Sequence, residues 1–564
     1  MKNKKILLLV ILAVAMFLRL YKISQVPVSL FGDELDVGYQ AYSILKTGKD
    51  YYGNPWPIHF QSLAEYRTPL YLYSAVPTVA AFGISPLGVR LPAVLFGILS
   101  IWIFYLLIKQ LFKDEKLALL SAAVLTFSPW HIQYSRAAFE VTQLLFLLLL
   151  SLLLFFKSFK KGKYLWLSAA SFALTPWVYS TVKLFTPLLL VFLFLIWHKE
   201  ILKLPKRSLL IAFCSLLLIG GPIAYSTVFG GGGQRFGYIS VFTDPTVETE
   251  VGVDRELDAH VRGETGIGLS PTLTDRSFHN KFTFWGSNIL KNYFQPFSTD
   301  FLFVKGDLNL RHSIEGVGQF YMVEAITLIL GVVFFFSSKA DWKTKALIGF
   351  WILAGVIPAA ITRDGGRHAT RLIVILPPLA FLIGYGLSKI TGYRLLITGY
   401  LLLFAANFIA YQHNFWVHNP WYSERWWHSG WDPAIHAVSD LGKDYDRVVI
   451  TMSDEPPWTF FAAHMMYDPV AWQANFPTEN WYDDTIFGRV TKIDKYTFAS
   501  MPGDGMYSWG KVLDNKTLYL ASEKEVGINL ILEPDRTPSD LKLVKAIPYP
   551  SGLPAFYLLS GKEI

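Results

Sequence analysis

Residues 2–36, KNKKILLLVILAVAMFLRLYKISQVPVSLFGDELD, join a long apolar stretch to a cluster of three carboxylates. Lysines precede the apolar window 6–23, as they do in secretory signal sequences. The apolar sequence continues well beyond the Ala-x-Ala match at 13–15, which favours an uncleaved signal anchor, since a bilayer crossing needs ~20 residues. The sequence therefore predicts a first membrane span that begins in the cytoplasm and delivers the carboxylates to the outer side.

About ten further apolar windows approach the ~17–25 residues that a membrane-spanning helix needs. They cover 88–109, 117–132, 138–156, 164–181, 184–198, 208–227, 317–337, 345–361, 370–388 and 394–411. With the N-terminus inside, the lysine and arginine clusters between these windows fall on the cytoplasmic side, as the positive-inside rule requires. The prediction is an α-helical polytopic membrane protein with about 11 transmembrane helices.

Composition supports the bilayer as the main solvent of this chain. Hydrophobic residues make up 52% of its 564 residues, and the mean hydropathy is +0.34. The net charge of +8 comes from short basic clusters between apolar windows, which indicates membrane topology and not nucleic-acid binding. The single cysteine, Cys214, excludes an internal disulfide.

The predicted topology places two large loops of the membrane domain, 1–411, on the exterior face. These are 24–87, which carries the carboxylates, and 228–316. The segment 69–84 is apolar but too short for a span, and counting it would place nearly all lysine clusters outside. We therefore expect it to be re-entrant or juxtamembrane.

The C-terminal segment 412–564 has the pattern of a small exterior α/β domain. Strand-like runs occur at 447–451, 517–520 and 555–559, separated by polar and Pro/Gly-rich turns. Residues 433–441 favour a helix.

Acidic residues of the first loop form the first candidate catalytic group. Asp33, Glu34 and Asp36 lie at the membrane edge, where a carboxylate is costly unless it is solvated, paired or functional. Partial desolvation there raises carboxylate basicity, which predicts a general base. A capping aspartate with solvated neighbours is the alternative. Glu65 and Arg67 either form an interfacial ion pair or orient an acceptor and bind an anionic headgroup.

Basic residues on the outer side form a second candidate group, for an anion. Arg136 lies four residues before Glu140 and is predicted to face a polar cavity, unless the two pair with each other. The turn 362–371 breaks the charge pattern of the other loops, and its glycines beside a helix start favour phosphate. Binding of anionic lipid without catalysis is the alternative. The basic residues of this turn are Arg363, Arg367, His368 and Arg371.

The second loop ends with His312 and Glu315, which are candidates for acceptor contact, a proton relay or a metal. Glu140 is a further candidate for acceptor contact or a position near a metal. Because no second spaced pair of ligands accompanies them, the sequence assigns no metal and leaves a divalent cation open.

Three motifs of the first loop occur in an order that resembles a known family. Gly32-Asp33-Glu34 follows the first span, Pro69-Leu70-Tyr71 opens the short apolar segment, and Gly88-Val89-Arg90-Leu91-Pro92 enters the next span. This order resembles the GT-C glycosyltransferases, in particular bacterial relatives of the protein O-mannosyltransferases (glycosyltransferase family 39) and of the lipid A aminoarabinose transferase. The resemblance covers about the first 410 residues.

The resemblance implies a GT-C membrane domain and a donor sugar carried on polyprenyl phosphate. It implies that Asp33 deprotonates the acceptor, that Glu34 and Glu65 orient the acceptor or lie near a metal, and that Arg67 binds phosphate. The transferases of aminoarabinose have Lys-Pro-Pro after the acid, whereas this chain has Glu65-Tyr66-Arg67-Thr68-Pro69, so the phosphate contact is expected to be shifted by a residue or more. The sugar, of hexosyl, mannosyl or aminoarabinose type, is left open.

The expected function is an inverting glycosyltransferase of the cytoplasmic (inner) cell membrane, active on its exterior face. Its partners would be the lipid-linked donor, a protein, lipid or glycan acceptor, and membrane lipids. One alternative is a lipid or polysaccharide transporter, which should show broken helices in paired halves. Another is a non-catalytic scaffold that binds glycan through exterior tryptophans, namely Trp421, Trp426, Trp427 and Trp431.

Overall fold

A computed structural model of the chain describes residues 2–62, 65–265, 270–475, 490–503 and 505–562. Its first part is helical, apart from one short hairpin. The elements are α1 (Lys2–Leu20), α2 (Gly32–Thr47), β1 (Phe60–Ser62), β2 (Glu65–Arg67), α3 (Pro69–Phe82), α4 (Pro86–Phe112), α5 (Glu115–Phe127), α6 (Pro129–Tyr134), α7 (Val141–Ser158), α8 (Tyr164–Leu174), α9 (Val182–Leu202), α10 (Lys206–Phe229), α11 (Gln234–Ile239), α12 (Val247–Val261), α13 (Leu273–Phe278), α14 (Lys281–Phe294), α15 (Glu324–Ser337), α16 (Trp342–Ala360), α17 (Ala369–Leu372), α18 (Leu376–Ile390), α19 (Arg394–His413) and α20 (Asn419–Tyr422).

Within the described residues, 7 helices are long and apolar enough to cross a membrane. They are α4, α7, α9, α10, α16, the helix Ala369–Ile390 that contains α17 and α18, and the helix Arg394–Tyr422 that contains α19 and α20. Each coincides with a window predicted from the sequence. The polytopic helical membrane protein is therefore confirmed.

The other four predicted windows each contain a helix, but these helices are short or charged. Helices α5 and α8 have 13 and 11 residues. At ~1.5 Å rise per residue they fall short of a ~30 Å hydrocarbon core. Helix α1 carries lysines at one end and Arg19 at the other, and α15 has 14 residues. The count of about eleven spans thus stays a prediction, and α3, also 14 residues long, is short as expected.

The membrane helices pack around one apolar core. Helix α4 packs against α7 and α5, while α18 packs against α15 and α5. Glycine allows the closest of these approaches, because a Cβ at Gly331 of α15 would lie 1.9 Å from the carbonyl oxygen of Leu382. A larger residue there would force α15 and α18 apart.

The remaining chain forms the predicted α/β domain. Its elements are α21 (Trp431–Leu441), β3 (Arg447–Ile450), α22 (Pro457–His464), α23 (Pro469–Asn475), β4 (Lys492–Ile493), β5 (Tyr496–Phe498), β6 (Thr517–Ser522), α24 (Glu523–Val526), β7 (Leu541–Pro548) and β8 (Pro554–Gly561). The sheet order is β4-β5-β3-β6-β8-β7, in which β3 is parallel to β5 and β6 and the other pairs are antiparallel. The three strands and the helix expected from the sequence are all present.

Helix α2 lies between the membrane helices and this C-terminal domain. On one side it packs against α3 and α4, and on the other against α22 and α23. The ring of Tyr39 lies edge-on to Trp472 at 5.7 Å. The side-chain amide of Gln473 donates hydrogen bonds to the hydroxyls of Ser43 and Thr47, each at 3.0 Å. Helix α2, whose first turns carry the carboxylates, is therefore held by both parts of the chain.

Two of the four tryptophans proposed as glycan-stacking residues are core residues. Trp427 and Trp431 are buried, and Trp431 stacks on Phe460 with ring centroids 4.7 Å apart. Trp421 and Trp426 are exposed. The set of four thus does not form one binding surface, which removes a main reason for the scaffold alternative.

Candidate active site

The three carboxylates at the start of α2 point in different directions. Helical residues are ~100° apart around the axis, so neighbours in sequence cannot share one face. Asp33 is exposed, whereas Glu34 and Asp36 are fully buried. Asp33 is therefore the member of the group that a substrate can reach.

Asp36 holds Arg67 beside Asp33. The Arg67 Nη1 donates to Asp36 Oδ2 at 2.8 Å and to the backbone carbonyl of Asp33 at 3.1 Å. The phenol of Tyr51 donates to the other oxygen of Asp36 at 2.7 Å. The pair Asp36–Arg67 joins α2 to β2 and brings a positive charge next to Asp33. A direct contact of Arg67 with phosphate stays a prediction.

Glu34 has a structural role in place of the predicted contact with the acceptor. Its two oxygens accept from Nε and Nη2 of Arg90, each at 2.8 Å, and both side chains are fully buried. The backbone N–H of Ala138 donates to the same carboxylate at 2.8 Å. A carboxylate with these three donors fixes α2 on α4, and it is not open to a substrate. The backbone of Glu65 pairs with Ser62 in the hairpin, and its side chain lies outside the described part of the structure.

Cations surround Asp33. Although the Asp33 side chain is exposed, the surrounding protein partly desolvates its carboxyl, which alone would raise the pKa. Arg67, Arg311 and Arg235 outweigh this and lower the pKa of Asp33 below its usual value. His312 adds to this effect only when protonated, and burial together with Arg311 lowers the pKa of His312 to about 3. The guanidinium groups therefore keep Asp33 ionised near neutral pH. The prediction that desolvation increases the basicity of Asp33 was wrong, because the charges of the arginines outweigh the desolvation.

Glu140 lies in the same electrostatic environment, directly before α7. Burial raises its pKa, Arg67 and Arg235 act against this, and the charge of Asp33 raises it further. Arg67 and Arg235 thus act on both carboxyl groups, and the pKa of Asp33 is lowered while that of Glu140 is raised.

Arg136 does not face a polar cavity, contrary to prediction, and does not pair with Glu140. Its guanidinium donates to the backbone carbonyls of Leu18, Tyr21 and Val26 at 2.7–2.8 Å. It also stacks on aromatic rings, the nearer being Trp416 at 4.7 Å. Arg136 therefore closes the C-terminal end of α1, where the carbonyls lack helical partners.

A cavity of about 540 Å³ is lined by three cations, Lys183, Arg235 and Arg371. Its other walls are apolar or weakly polar, and they come from α9, α10, α11, α16 and the segment before α9. The remaining lining residues are Tyr179, Ser180, Thr181, Leu184, Thr227, Gly232, Gly233, Phe236, Ile239, Pro358, Ile361 and Thr362. Positive charge against apolar walls suits an anionic headgroup with an apolar chain.

Lys183 is held in place by neighbours on both sides. Its Nζ donates to the Gly232 carbonyl at 2.8 Å and lies 3.2 Å from Nε2 of His59. The other ring nitrogen of His59 lies 2.8 Å from the Ser226 hydroxyl. Burial and the charge of Lys183 lower the pKa of His59 to about 4, so this ring is neutral and contributes no charge.

Of the basic residues in the turn 362–371, Arg371 is the one that lines the cavity. It is nearly buried and donates to the Thr362 hydroxyl at 2.8 Å and to Asp364 at 2.6 Å. Arg363 is exposed and bonds to the backbone carbonyl of Tyr238.

Arg367 and His368 point elsewhere. Arg367 pairs with Asp300 at 2.9 Å, and the ring of His368 lies 5.0 Å from that of His312. Arg363, Arg367 and His368 do not line the cavity, so a contact of these residues with phosphate stays a prediction.

His312 lies in a cluster with two other possible ligands. The ligand atoms of Asp307, His312 and His368 all lie within 4.8 Å of one another. Glu315, the other candidate of the second loop, is exposed, and its backbone carbonyl accepts from Asn414 at 2.8 Å. The cluster brings together the second loop and the turn 362–371, and it does not include Glu315.

Arg235 connects the cavity with Asp33. It lines the cavity and its charge acts on Asp33, on Glu140 and on Tyr179. Neither Arg235 nor Lys183 was predicted as a site residue. The available signals were a cation at the start of an apolar window and an arginine two residues after Gly233. Neither signal connects these residues to the first loop.

Comparison with known proteins gives one family match within the chain. Residues 67–225 match the family model described as dolichyl-phosphate-mannose-protein mannosyltransferase. The YkcB protein of Bacillus subtilis (strain 168), named as a mannosyltransferase, is 36% identical over 99 residues, which are 17% of this chain and 14% of that protein. Both matches therefore cover part of the chain.

Two solved structures are similar over most of the chain. ArnT from Cupriavidus metallidurans in the apo state is 12% identical, over 99% of this chain and 98% of that one, with a TM-score of 0.49. The Archaeoglobus fulgidus oligosaccharyltransferase with Zn and sulfate is 14% identical, over 81% of this chain and 61% of that one, with a TM-score of 0.47. The present chain thus spans less than two thirds of that oligosaccharyltransferase. Over residues 67–225 this membrane protein is similar to the dolichyl-phosphate-mannose-protein mannosyltransferases, and the resemblance to GT-C glycosyltransferases predicted from its sequence is confirmed.

Proposed function

We propose that the chain is an inverting glycosyltransferase that moves a sugar from a polyprenyl-phosphate donor to an acceptor hydroxyl at the exterior face of the cell membrane. The observation that carries this proposal is the position of Arg235. It lines a cationic cavity with apolar walls and also acts on Asp33, an exposed and ionised carboxylate. The site therefore has a base on one side and an anion site on the other.

The reaction follows from these two parts. The acceptor hydroxyl gives its proton to Asp33 as its oxygen attacks the anomeric carbon of the sugar. The bond between that carbon and the phosphate oxygen breaks on the opposite side, and the lipid phosphate leaves with the electron pair. Lys183, Arg235 and Arg371 stabilise the charge that develops on the phosphate. One displacement inverts the anomeric carbon.

A carboxylate with a lowered pKa is a weak base in the ground state. In the transition state the acceptor oxygen has become much more acidic, and proton transfer to such a base is then favourable. The surrounding arginines also keep Asp33 from being protonated before the acceptor binds. This fits a displacement in which the bond between the sugar and the phosphate breaks ahead of proton transfer to Asp33.

The donor chemistry is supported by the family match. The model that matches residues 67–225 is named for a transferase that uses dolichyl-phosphate-mannose. The apolar walls formed by Leu184, Phe236 and Ile239 suit the first isoprene units of such a lipid. The acceptor, whether protein, lipid or glycan, would approach Asp33 from the exterior.

Replacing Arg235 by glutamine should weaken the binding of a polyprenyl phosphate. A hydrogen bond to a charged group contributes ~1.5–3 kcal/mol, so the dissociation constant should rise ~10–100-fold. Isothermal titration of the purified protein in detergent with a short-chain polyprenyl phosphate measures this directly. Thr227→Val is the matched control, because Thr227 lines the same cavity and bonds only locally, to the Ile223 carbonyl at 2.7 Å. Equal affinity of the Arg235→Gln and Thr227→Val variants would remove the cavity from the proposal.

A further inference from the structure

We propose that Asp307, His312 and His368 bind one divalent transition-metal ion of the zinc class. Their ligand atoms lie within 4.8 Å of one another, which small side-chain rotations can close to a common ion. Among the residues that the structure describes, no other three His, Cys, Asp or Glu side chains meet in this way. This inference does not depend on glycosyl transfer.

One ring nitrogen of the cluster has its lone pair free for a metal ion. The Nδ1 of His368 is buried and has no hydrogen-bond partner within the described residues. A buried ring nitrogen without a partner costs free energy, and a metal ion would remove that cost.

Neighbouring groups hold the three side chains in orientation. The Thr370 hydroxyl lies 3.1 Å from Nδ1 of His312, which leaves Nε2 of that ring for the metal. The phenol of Tyr134 in turn lies 2.7 Å from the Thr370 hydroxyl. Ligating histidines in metalloproteins are oriented by such second contacts.

The carboxylate of Asp307 is oriented in the same way by the backbone. The N–H groups of Asn309 and Ala369 donate to its two oxygens at 2.9 and 2.8 Å. Each oxygen retains a second lone pair, so the carboxylate can accept these bonds and still bind an ion.

The ligand set indicates both the class of metal and an open position. Two imidazole nitrogens and one carboxylate favour Zn²⁺ and related ions over Mg²⁺ or Ca²⁺, which prefer oxygen ligands. Three protein ligands leave a position for water or a substrate group. The ion would also join the loop that carries His312 to the turn that carries Arg371, and so fix one side of the anion cavity.

Metal content and thermal stability test this inference on the full-length protein in detergent. After chelation and reloading with ZnCl₂, we expect about one zinc per chain by mass spectrometry, together with a higher unfolding temperature. His368→Ala and Asp307→Asn should each lose the zinc and the temperature rise, while matching the metal-free wild type in stability. Thr370→Val should weaken zinc binding ~10–100-fold, as loss of an orienting contact does.

Glu315→Gln is the control, because Glu315 lies three residues from His312 but is exposed and outside the cluster. It should keep both the zinc and the stabilisation. Absence of zinc from the reloaded wild type, or retention of zinc by both His368→Ala and Asp307→Asn, would overturn the assignment. A wild type that binds Mg²⁺ with equal affinity would also contradict the proposed metal class.

Discussion

Asp33→Asn should lower the turnover of sugar transfer ~10²–10⁴-fold, the usual contribution of a general base. The substitution keeps the size of the side chain but removes its ability to accept a proton. The three cations of the cavity are unchanged, so the donor should bind as in the wild type. The measurement is transfer from a polyprenyl-phosphate sugar in purified membranes, with donor binding measured in parallel.

The control for this prediction is Asp244→Asn, in the other predicted exterior loop. Asp244 accepts hydrogen bonds from the backbone and hydroxyl of its neighbour Thr246, each at 2.9 Å, and its loss should leave transfer unchanged. The wild-type rate should also persist to lower pH than a free aspartate would allow, since a depressed pKa keeps the base ionised. Undiminished transfer by Asp33→Asn would remove Asp33 as the base.

Arg90→Ala should destabilise the protein by ~3–5 kcal/mol, the cost of leaving a buried charge without its partner. Arg90 makes five hydrogen bonds, two to Glu34 and three to the carbonyls of Ile23, Pro27 and Ser29. A guanidinium has five N–H donors, so none is left over. The loss should appear as a lower unfolding midpoint in mixed detergent micelles.

A double-mutant cycle separates this pair from its surroundings. Glu34→Ala and Arg90→Ala share one ion pair, so the double variant should cost much less than the sum of the two single variants. Additive losses would contradict a direct pair. Because Arg90 also holds the loop that leads into α2, we expect activity to fall along with stability.

The apolar windows of the chain were sufficient to predict the membrane domain. Their length and the basic clusters between them reflect the bilayer itself, which acts on each segment separately. Every predicted window contains a helix, but the sequence overestimated how far α5, α8 and α15 extend. Helix ends depend on packing against neighbours, and a window average does not contain that information.

The candidate site was only partly predictable. Asp33 was found because three carboxylates at a membrane edge are unusual, yet the sequence could not say which of them is exposed. That depends on Arg67 and Arg90, which lie 31 and 56 residues away from their partners Asp36 and Glu34. Contacts over such separations follow from the fold and not from local pattern.

The errors on basic residues have the same origin. Arg136 was expected to face a cavity because it opens an apolar helix, but it caps the carbonyls at the end of α1. Lys183 has a similar position in sequence and does line the cavity. A cation beside an apolar window can either cap a neighbouring helix or line a cavity. The orientation of its own helix relative to the other helices determines which of these two roles it has.

The most direct test is the position of the lipid phosphate in the protein. A cryo-EM structure in lipid nanodiscs with bound polyprenyl phosphate should place the phosphate against Lys183, Arg235 and Arg371. One of the phosphate oxygens that are not bonded to the lipid chain should point towards Asp33. A phosphate bound outside this cavity, with Asp33 remote from it, would contradict the account.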